Sequence, residues 1–151
     1  MMWGLFYVFA GGTALGAIMN KTGTAKFIAD AIVPYVADGG FKSVLVFTAL
    51  TIAVAQIISN VATVAIMGPI AIGVFQSVGI NSIPFVYIIA AAGHCGFMLP
   101  SSAGSSAIAA GYGVNLKTMF IKGFWAALIA TLVIAFGAYL LMKFWPGFGF
   151  A

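Results

Sequence analysis

The residues of this chain that could do chemistry are few and fall in two clusters. One is Ser59-Asn60, set within Ile57-Ile58-Ser59-Asn60-Val61-Ala62-Thr63. The other follows about forty residues later as Pro100-Ser101-Ser102-Ala103-Gly104-Ser105-Ser106, with His94 and Cys95 just ahead of it. From Lys42 to Lys117 the 74 intervening positions hold no acidic or basic residue, and their titratable side chains are His94, Cys95, Tyr87 and Tyr112. Hydroxyls and an amide without charged partners suit coordination of a small solute better than catalysis. His94 could activate Ser101, Ser102 or Ser105 as a nucleophile, but no G-x-S-x-G surrounds any of them and nothing orients the imidazole. An intramembrane His is a proton-relay candidate by default; without an acidic partner, His94 reads as a hydrogen-bonded packing residue. The single cysteine forms no internal disulfide and has no metal-ligand spacing around it.

The elements that position these clusters are membrane elements. Hydrophobic residues make up 64% of the chain, charged residues 5%, and mean hydropathy is +1.19. A soluble fold of this length needs more charge to cover its surface. The 19 glycines fit close helix packing in lipid. Six lysines against two aspartates give +4, but the lysines are scattered at segment ends, a topology signal and no nucleic-acid footprint. Met1-Met2-Trp3-Gly4 lacks a basic n-region and a cleavage site, so it is not read as a signal peptide.

Taken in order, residues 2–20 predict a helix barely long enough to cross a hydrocarbon core of about 30 Å; its Gly12-Thr-Ala-Leu-Gly16 permits close packing. Residues 22–38 carry apolar Phe27, Ile28, Ala31, Ile32, Tyr35 and Val36 opposite Lys26 and Asp30, as in an interfacial helix. Residues 43–80 form two apolar arms joined at 59–60. No Lys, Trp or Tyr flanks that joint as it would at a membrane surface, which predicts a re-entrant hairpin with a buried tip; two complete spans with a tight turn is the competing reading. Pro69 and Gly68 should kink the second arm. Residues 82–113 would be about 48 Å long as one helix, too long for the bilayer without a large tilt, so a helix broken near the midplane is expected, with its first part ending at Leu99 before Pro100. Lys117 and Lys122 mark an interface, and residues 118–145 contain the last spanning helix, followed by the aromatic tail Pro146–Phe150. No repeat occurs within the chain.

Broken helices are common transporter machinery, because a helix that starts in mid-membrane presents unsatisfied N–H groups and partial positive charge. The second hairpin arm should start at Val61 with Asn60 or Ser59 as N-cap, and the resumed half-helix near Ala107 with Ser105 or Ser106 as N-cap. Two such ends favour an anion without Arg or Lys. The carbonyls of Gln56 to Ile58 and of the helix before Pro100, with the hydroxyls of Ser59 and Ser102 and the Asn60 amide, are hard oxygens suited to an alkali cation. Both signs in one place suit co-transport.

The order Phe9-Ala-Gly11-Gly12-x-Ala14-Leu15-Gly16, Lys21-Thr22-Gly23, Ser59-Asn60-Val61-Ala62-Thr63, Cys95-Gly-Phe97-Met98-Leu99-Pro100 and Ala107-Ile108 through Gly113 resembles the divalent anion/sodium symporter family. The likeness covers nearly the whole chain but only the second half of such a transporter. It implies sodium-coupled symport of a dicarboxylate, citrate or sulfate, two inverted repeats each with a Ser-Asn-Thr hairpin, and a homodimer. It makes Ser59 and Asn60 contacts to sodium and a substrate carboxylate, and Ser102–Ser106 the unwound stretch. Substrate contacts are then expected at Ser59, Asn60, Val61, Gly104 and Ser105, and sodium contacts at Ser59, Asn60, Ser102 and Ala103, partly through backbone carbonyls. Val61 stands where the family tip has Thr, Ala103-Gly104 where Thr-Pro is common, and Ser106 where an Asn often follows. Those departures keep arsenite-type and proton-coupled carriers of the wider ion-transporter superfamily open as alternatives, beside a non-transporting assembly subunit.

The expectation is therefore an all-α polytopic protein of a prokaryotic inner membrane, a single transmembrane unit over 1–151, not an enzyme. Its partners are the bilayer, a small anionic solute and a complementary N-terminal half. The hairpin reading puts Lys21, Lys26, Lys42 and Lys143 on one side, against Lys117 and Lys122. The family would place that first side outside, against the positive-inside rule; the fully spanning reading splits the lysines five to one.

Overall fold

A computed structural model describes residues 40–145, 147 and 148, together with Ile18, Lys21 and Thr22. Apart from those three residues, the expected helices over 2–20 and 22–38 lie outside the described residues. So do the Gly12–Gly16 motif, the Lys26–Asp30 pair, Pro146 and the end of the aromatic tail. Among the described residues are five helices and no strand: α1 (Phe41–Ile57), α2 (Asn60–Ser77), α3 (Ile83–Ala92), α4 (Gly104–Gly111) and α5 (Leu116–Phe144).

The chain reverses between α1 and α2 because Ile58 and Ser59 are both extended, with ψ near 167° and 150°. The Ser59 side chain then caps α2 by accepting from Ala62 N, one of the two caps expected, and the helix starts at Asn60. At the far end of the pair, Phe47 of α1 meets Phe75 of α2 with ring centroids 4.7 Å apart, and Phe75 stacks on Phe85 of α3 at 3.5 Å. These rings are fully buried, and Val44, Ala71, Val74 and Ile89 complete a core that reaches Ala135 and Ala138 of α5. α2 runs through Pro69 without interruption. It ends where Gly79, at φ 74°, lets Ile80 N return to Phe75 O; Gly113, at φ 86°, ends α4 the same way.

Lengths separate the elements. At about 1.5 Å per residue, α1 (17 residues) and α2 (18 residues) reach roughly 25 and 27 Å, whereas α5 (29 residues) reaches about 43 Å. Among the described residues α5 alone is long and apolar enough to cross a membrane, and little of it is buried within the protein. Phe120, Phe124, Leu128, Leu132 and Phe136 are exposed along it. Two buried hydroxyls of α1 are satisfied within the helix: Thr48 donates to Val44 O and Thr51 to Phe47 O, both at 2.7 Å.

Candidate functional site

The two polar clusters meet. The backbone N–H of Asn60, the first residue of α2, donates to Ser102 O at 3.1 Å. Around the Asn60 side chain lie three backbone carbonyls, those of Gly93, His94 and Ser102. With the amide turned as its surroundings require, its nitrogen donates to Gly93 O and Ser102 O at 3.0 Å each; the opposite edge of the amide lies 3.3 Å from His94 O. Gly96 makes the approach possible. A Cβ there would stand 2.5 Å from Ala55 O and 2.8 Å from both the Asn60 amide and Ser102 Cβ.

The break itself differs from the expectation. α3 ends at Ala92, seven residues before Leu99, and residues 93–103 are non-helical. His94 and Cys95 therefore lie inside the break, not ahead of it. After the last helical bond, Gly93 N to Ile89 O, the turn tightens, with His94 N reaching Ala91 O and Cys95 N reaching Ala92 O. Beyond it the backbone finds its partners on α1. Gln56, almost fully buried, accepts from Phe97 N (2.9 Å) and Met98 N (3.1 Å) through Oε1, and donates to Cys95 O (2.8 Å) and Ile52 O (2.9 Å) through Nε2. Sequence reading names Gln56 only for its carbonyl and misses its side chain. The available signal was an amide in an uncharged apolar helix three residues before the tip, where a buried amide needs partners. From the other side α5 presses on the break: a Cβ on Gly123 would stand 2.6 Å from Phe97 O.

The resumed helix also starts early. α4 begins at Gly104 after an extended Ala103, with Ala107 N on Ala103 O and no side-chain cap, so Ser105 and Ser106 sit inside its first turn and neither is the N-cap. The reason is the anchoring of Ser102: its carbonyl holds Asn60 N and its hydroxyl donates to Leu99 O at 2.6 Å, so the chain is free to turn helical only after Ala103.

Of the expected site residues, the structure thus joins Asn60 directly to Ser102. Ser59 is exposed, its hydroxyl accepting from Ala62 N at 3.3 Å, and Val61 is exposed beside it. Ala103 is half-buried, while Gly104 and Ser105 are exposed on the first turn of α4. Ser101 reaches toward Ile57 O at 3.5 Å, the end of the α1 carbonyl row. Among the described residues no group of His, Cys, Asp and Glu could hold a metal ion. The junction offers neutral oxygens and helix-end dipoles, and no ionisable ligand except the exposed His94, whose Nδ1 lies 2.7 Å from Ala90 O. A groove of about 540 Å³ lies between α1, the Met98-Leu99 turn and α5; apart from Gln56 and Thr131 its walls are apolar, and Ser59, Asn60, Val61 and residues 102–105 do not line it.

A polar tip and a polar break joined inside an uncharged helical region is what the motif order led one to expect of an anion carrier. A model of the family described as citrate transporter (CitMHS) matches residues 1–148. The chain belongs to the citrate transporter family. An uncharacterized transporter of Haemophilus influenzae is 34% identical over 145 residues, covering 95% of this chain and 31% of the relative. A sodium-dependent dicarboxylate transporter (SdcS) of Staphylococcus saprophyticus is 29% identical over 141 residues, covering 93% of this chain and 27% of the relative. An SdcS of Staphylococcus aureus matches to the same extent. The citrate-family chain therefore spans less than a third of the length of these curated relatives. Family and relatives are transporters, not enzymes. Of the hydroxyls that a hydrolase reading of this citrate-family chain names, those of Ser101 and Ser102 donate to backbone carbonyls, and the His94 ring faces Ala90 O.

Proposed function

We propose that the chain forms one half of a secondary active transporter that moves a small anion, a di- or tricarboxylate or sulfate, together with sodium. The observation that carries this reading is the bond from Asn60 N to Ser102 O at 3.1 Å, which makes one polar junction of the hairpin tip and the helix break. Carbonyls released from helical pairing there suit an alkali ion, and helix N-termini suit an anion. Sodium would take oxygens of Ser59, Asn60, Ser102 and Ala103; the anion would meet Ser59, Asn60, Val61, Gly104 and Ser105. The arms of roughly 25 and 27 Å fall short of the hydrocarbon core of about 30 Å, which supports a re-entrant hairpin, with α3 and α4 as the two pieces of a discontinuous span. The family description favours citrate, and the printed name of the SdcS relatives favours sodium and dicarboxylates. A chain less than a third as long as those relatives needs a complementary N-terminal half to close the site, in a homodimer of a prokaryotic plasma membrane.

Uptake of labelled citrate, succinate and sulfate into vesicles, with and without a sodium gradient, tests the proposal. At least one anion should accumulate with sodium, and Asn60→Ala should reduce that uptake at least about tenfold, as loss of a direct ligand does. Uptake independent of the gradient and of Asn60 would sink it. Proton coupling has one observation in its favour: His94 stands exposed in the break, with its carbonyl against the Asn60 amide. Uptake driven by a pH gradient and lost in His94→Gln would replace sodium by the proton.

A further inference from the structure

The transport reading uses Gln56 only for its carbonyl, yet its side chain makes four hydrogen bonds, three of them to the break. Had α3 continued as a helix, Phe97 N–H would bond to Gly93 O and Met98 N–H to His94 O, in the i to i−4 pattern. Those are the two N–H groups that Gln56 Oε1 accepts, at 2.9 and 3.1 Å. The carbonyls left without helical partners are thus Gly93 and His94, the same two that face the Asn60 amide together with Ser102 O. Gln56 Nε2 holds the third member of the stretch, Cys95 O, at 2.8 Å. One amide on α1 substitutes for the helical bonds of the break and leaves carbonyl oxygens turned to the tip.

We propose that Gln56 is the positioning residue of the junction: by taking the Phe97 and Met98 N–H groups it frees the Gly93 and His94 carbonyls for the cation, and so sets sodium affinity without contacting the anion. This rests on the sodium-coupled reading given above. A carbonyl has two lone pairs, so Gly93 O can accept from the Asn60 amide nitrogen and still face an ion, while His94 O faces the amide oxygen and keeps both lone pairs for one. Gly96 and Ala55 keep the break against α1, and Gly123 keeps it against α5, so the freed carbonyls are held in one place rather than closing back into helix.

Two variants separate the hydrogen bonds from the packing. Gln56→Met keeps the length of the side chain and removes all four bonds. Gln56→Glu keeps the acceptor for Phe97 and Met98 N–H and gives up donation to Cys95 O and Ile52 O. In vesicles carrying the protein, with labelled citrate as the probe, Gln56→Met should raise the sodium concentration for half-maximal uptake about tenfold, the scale on which outer-shell partners act on an ion site. Gln56→Glu should raise it no more than about threefold, and the citrate KM at saturating sodium should stay within about twofold in both. An unchanged sodium requirement in Gln56→Met, or equal shifts for sodium and citrate, overturns the proposal. If Gln56→Met accumulates poorly, the sodium that half-protects it from thermal unfolding is measured instead; the expected value is again about tenfold above wild type, and an equal value overturns the proposal. Absence of any sodium dependence in the wild type, or an Asn60→Ala protein with wild-type sodium dependence, would overturn the site reading itself and the role of Gln56 with it.

Discussion

The two ends of the α1–α2 hairpin are held by different physics. At the tip, Asn60 and Gln56 hold the break by directed hydrogen bonds to single backbone atoms, in a part of the chain that is partly exposed. At the far end Phe47, Phe75 and Phe85 hold the same helices by ring packing, wholly buried. Packing is strong but non-directional, whereas a hydrogen bond fixes an atom in place while adding only about 1 kcal/mol net. A hairpin built this way can take its stability from one end and its atomic geometry from the other. Variants at the aromatic end should therefore cost stability and spare the ion dependence, and variants at the tip should do the reverse.

Phe85→Ala should give the largest loss of stability. The ring is fully buried and stacked on Phe75. Such truncations cost about 3–5 kcal/mol in soluble cores. In lipid part of the transfer term vanishes, because acyl chains are as apolar as a core, and the lost packing remains, so about 2–3 kcal/mol is expected. Thermal unfolding in detergent measures it. Protein that stays folded should keep the wild-type sodium requirement; a shifted requirement would mean that the two ends are not separable.

Gly96→Ala should come next and act on geometry as well. Its Cβ would collide with Ala55 O, the Asn60 amide and Ser102 Cβ, an overpacking worth about 1–3 kcal/mol, and it would force the tip from the break. Uptake should fall to background even where folded protein survives. Gly68→Ala, inside α2, is the control, for nothing lies within 4 Å of its Cβ position; its stability should match wild type to within about 1 kcal/mol and its uptake should persist. Equal loss of uptake at both positions would mean that the close approach at Gly96 is not what uptake depends on.

What sequence could and could not show follows the same division. Local patterns suffice for the all-helical class, for two helical arms followed by two shorter helices, and for a cap at Ser59, because apolar runs, turn residues and capping chemistry act over a few positions. Pro100, the strongest local stop, puts the end of α3 at Leu99 by local rules. The real end at Ala92 depends on Gln56, which holds Cys95, Phe97 and Met98 from about forty residues upstream. No local rule reports that. Ser105 and Ser106 look like caps by type, yet the start of α4 is fixed by Ser102, anchored to Asn60 across the junction. The meeting of Asn60 with Ser102 follows from dipoles and motif order; carbonyls ahead of Pro100 are expected as well, but that they are those of Gly93 and His94 depends on where α3 ends.

The smallest stability effect is expected at Ser59, where the comparison becomes sharpest. Its hydroxyl caps α2 at a long 3.3 Å, and it is exposed. The first turn keeps Asn60 N on Ser102 O, Thr63 N on Ser59 O at 2.9 Å and the Thr63 hydroxyl on the same carbonyl at 3.1 Å. Ser59→Ala should therefore cost about 0.5–1 kcal/mol, the low end for a lost cap. A hydroxyl oxygen has two lone pairs, so one can accept from Ala62 N while the other meets sodium. If it does, Ser59→Ala should raise the sodium requirement several-fold despite its slight effect on unfolding, and Ser59→Thr, which keeps the oxygen, should behave as wild type in both. A Ser59→Ala protein with unchanged sodium dependence would make Ser59 a cap alone and leave the cation to the carbonyls around Asn60.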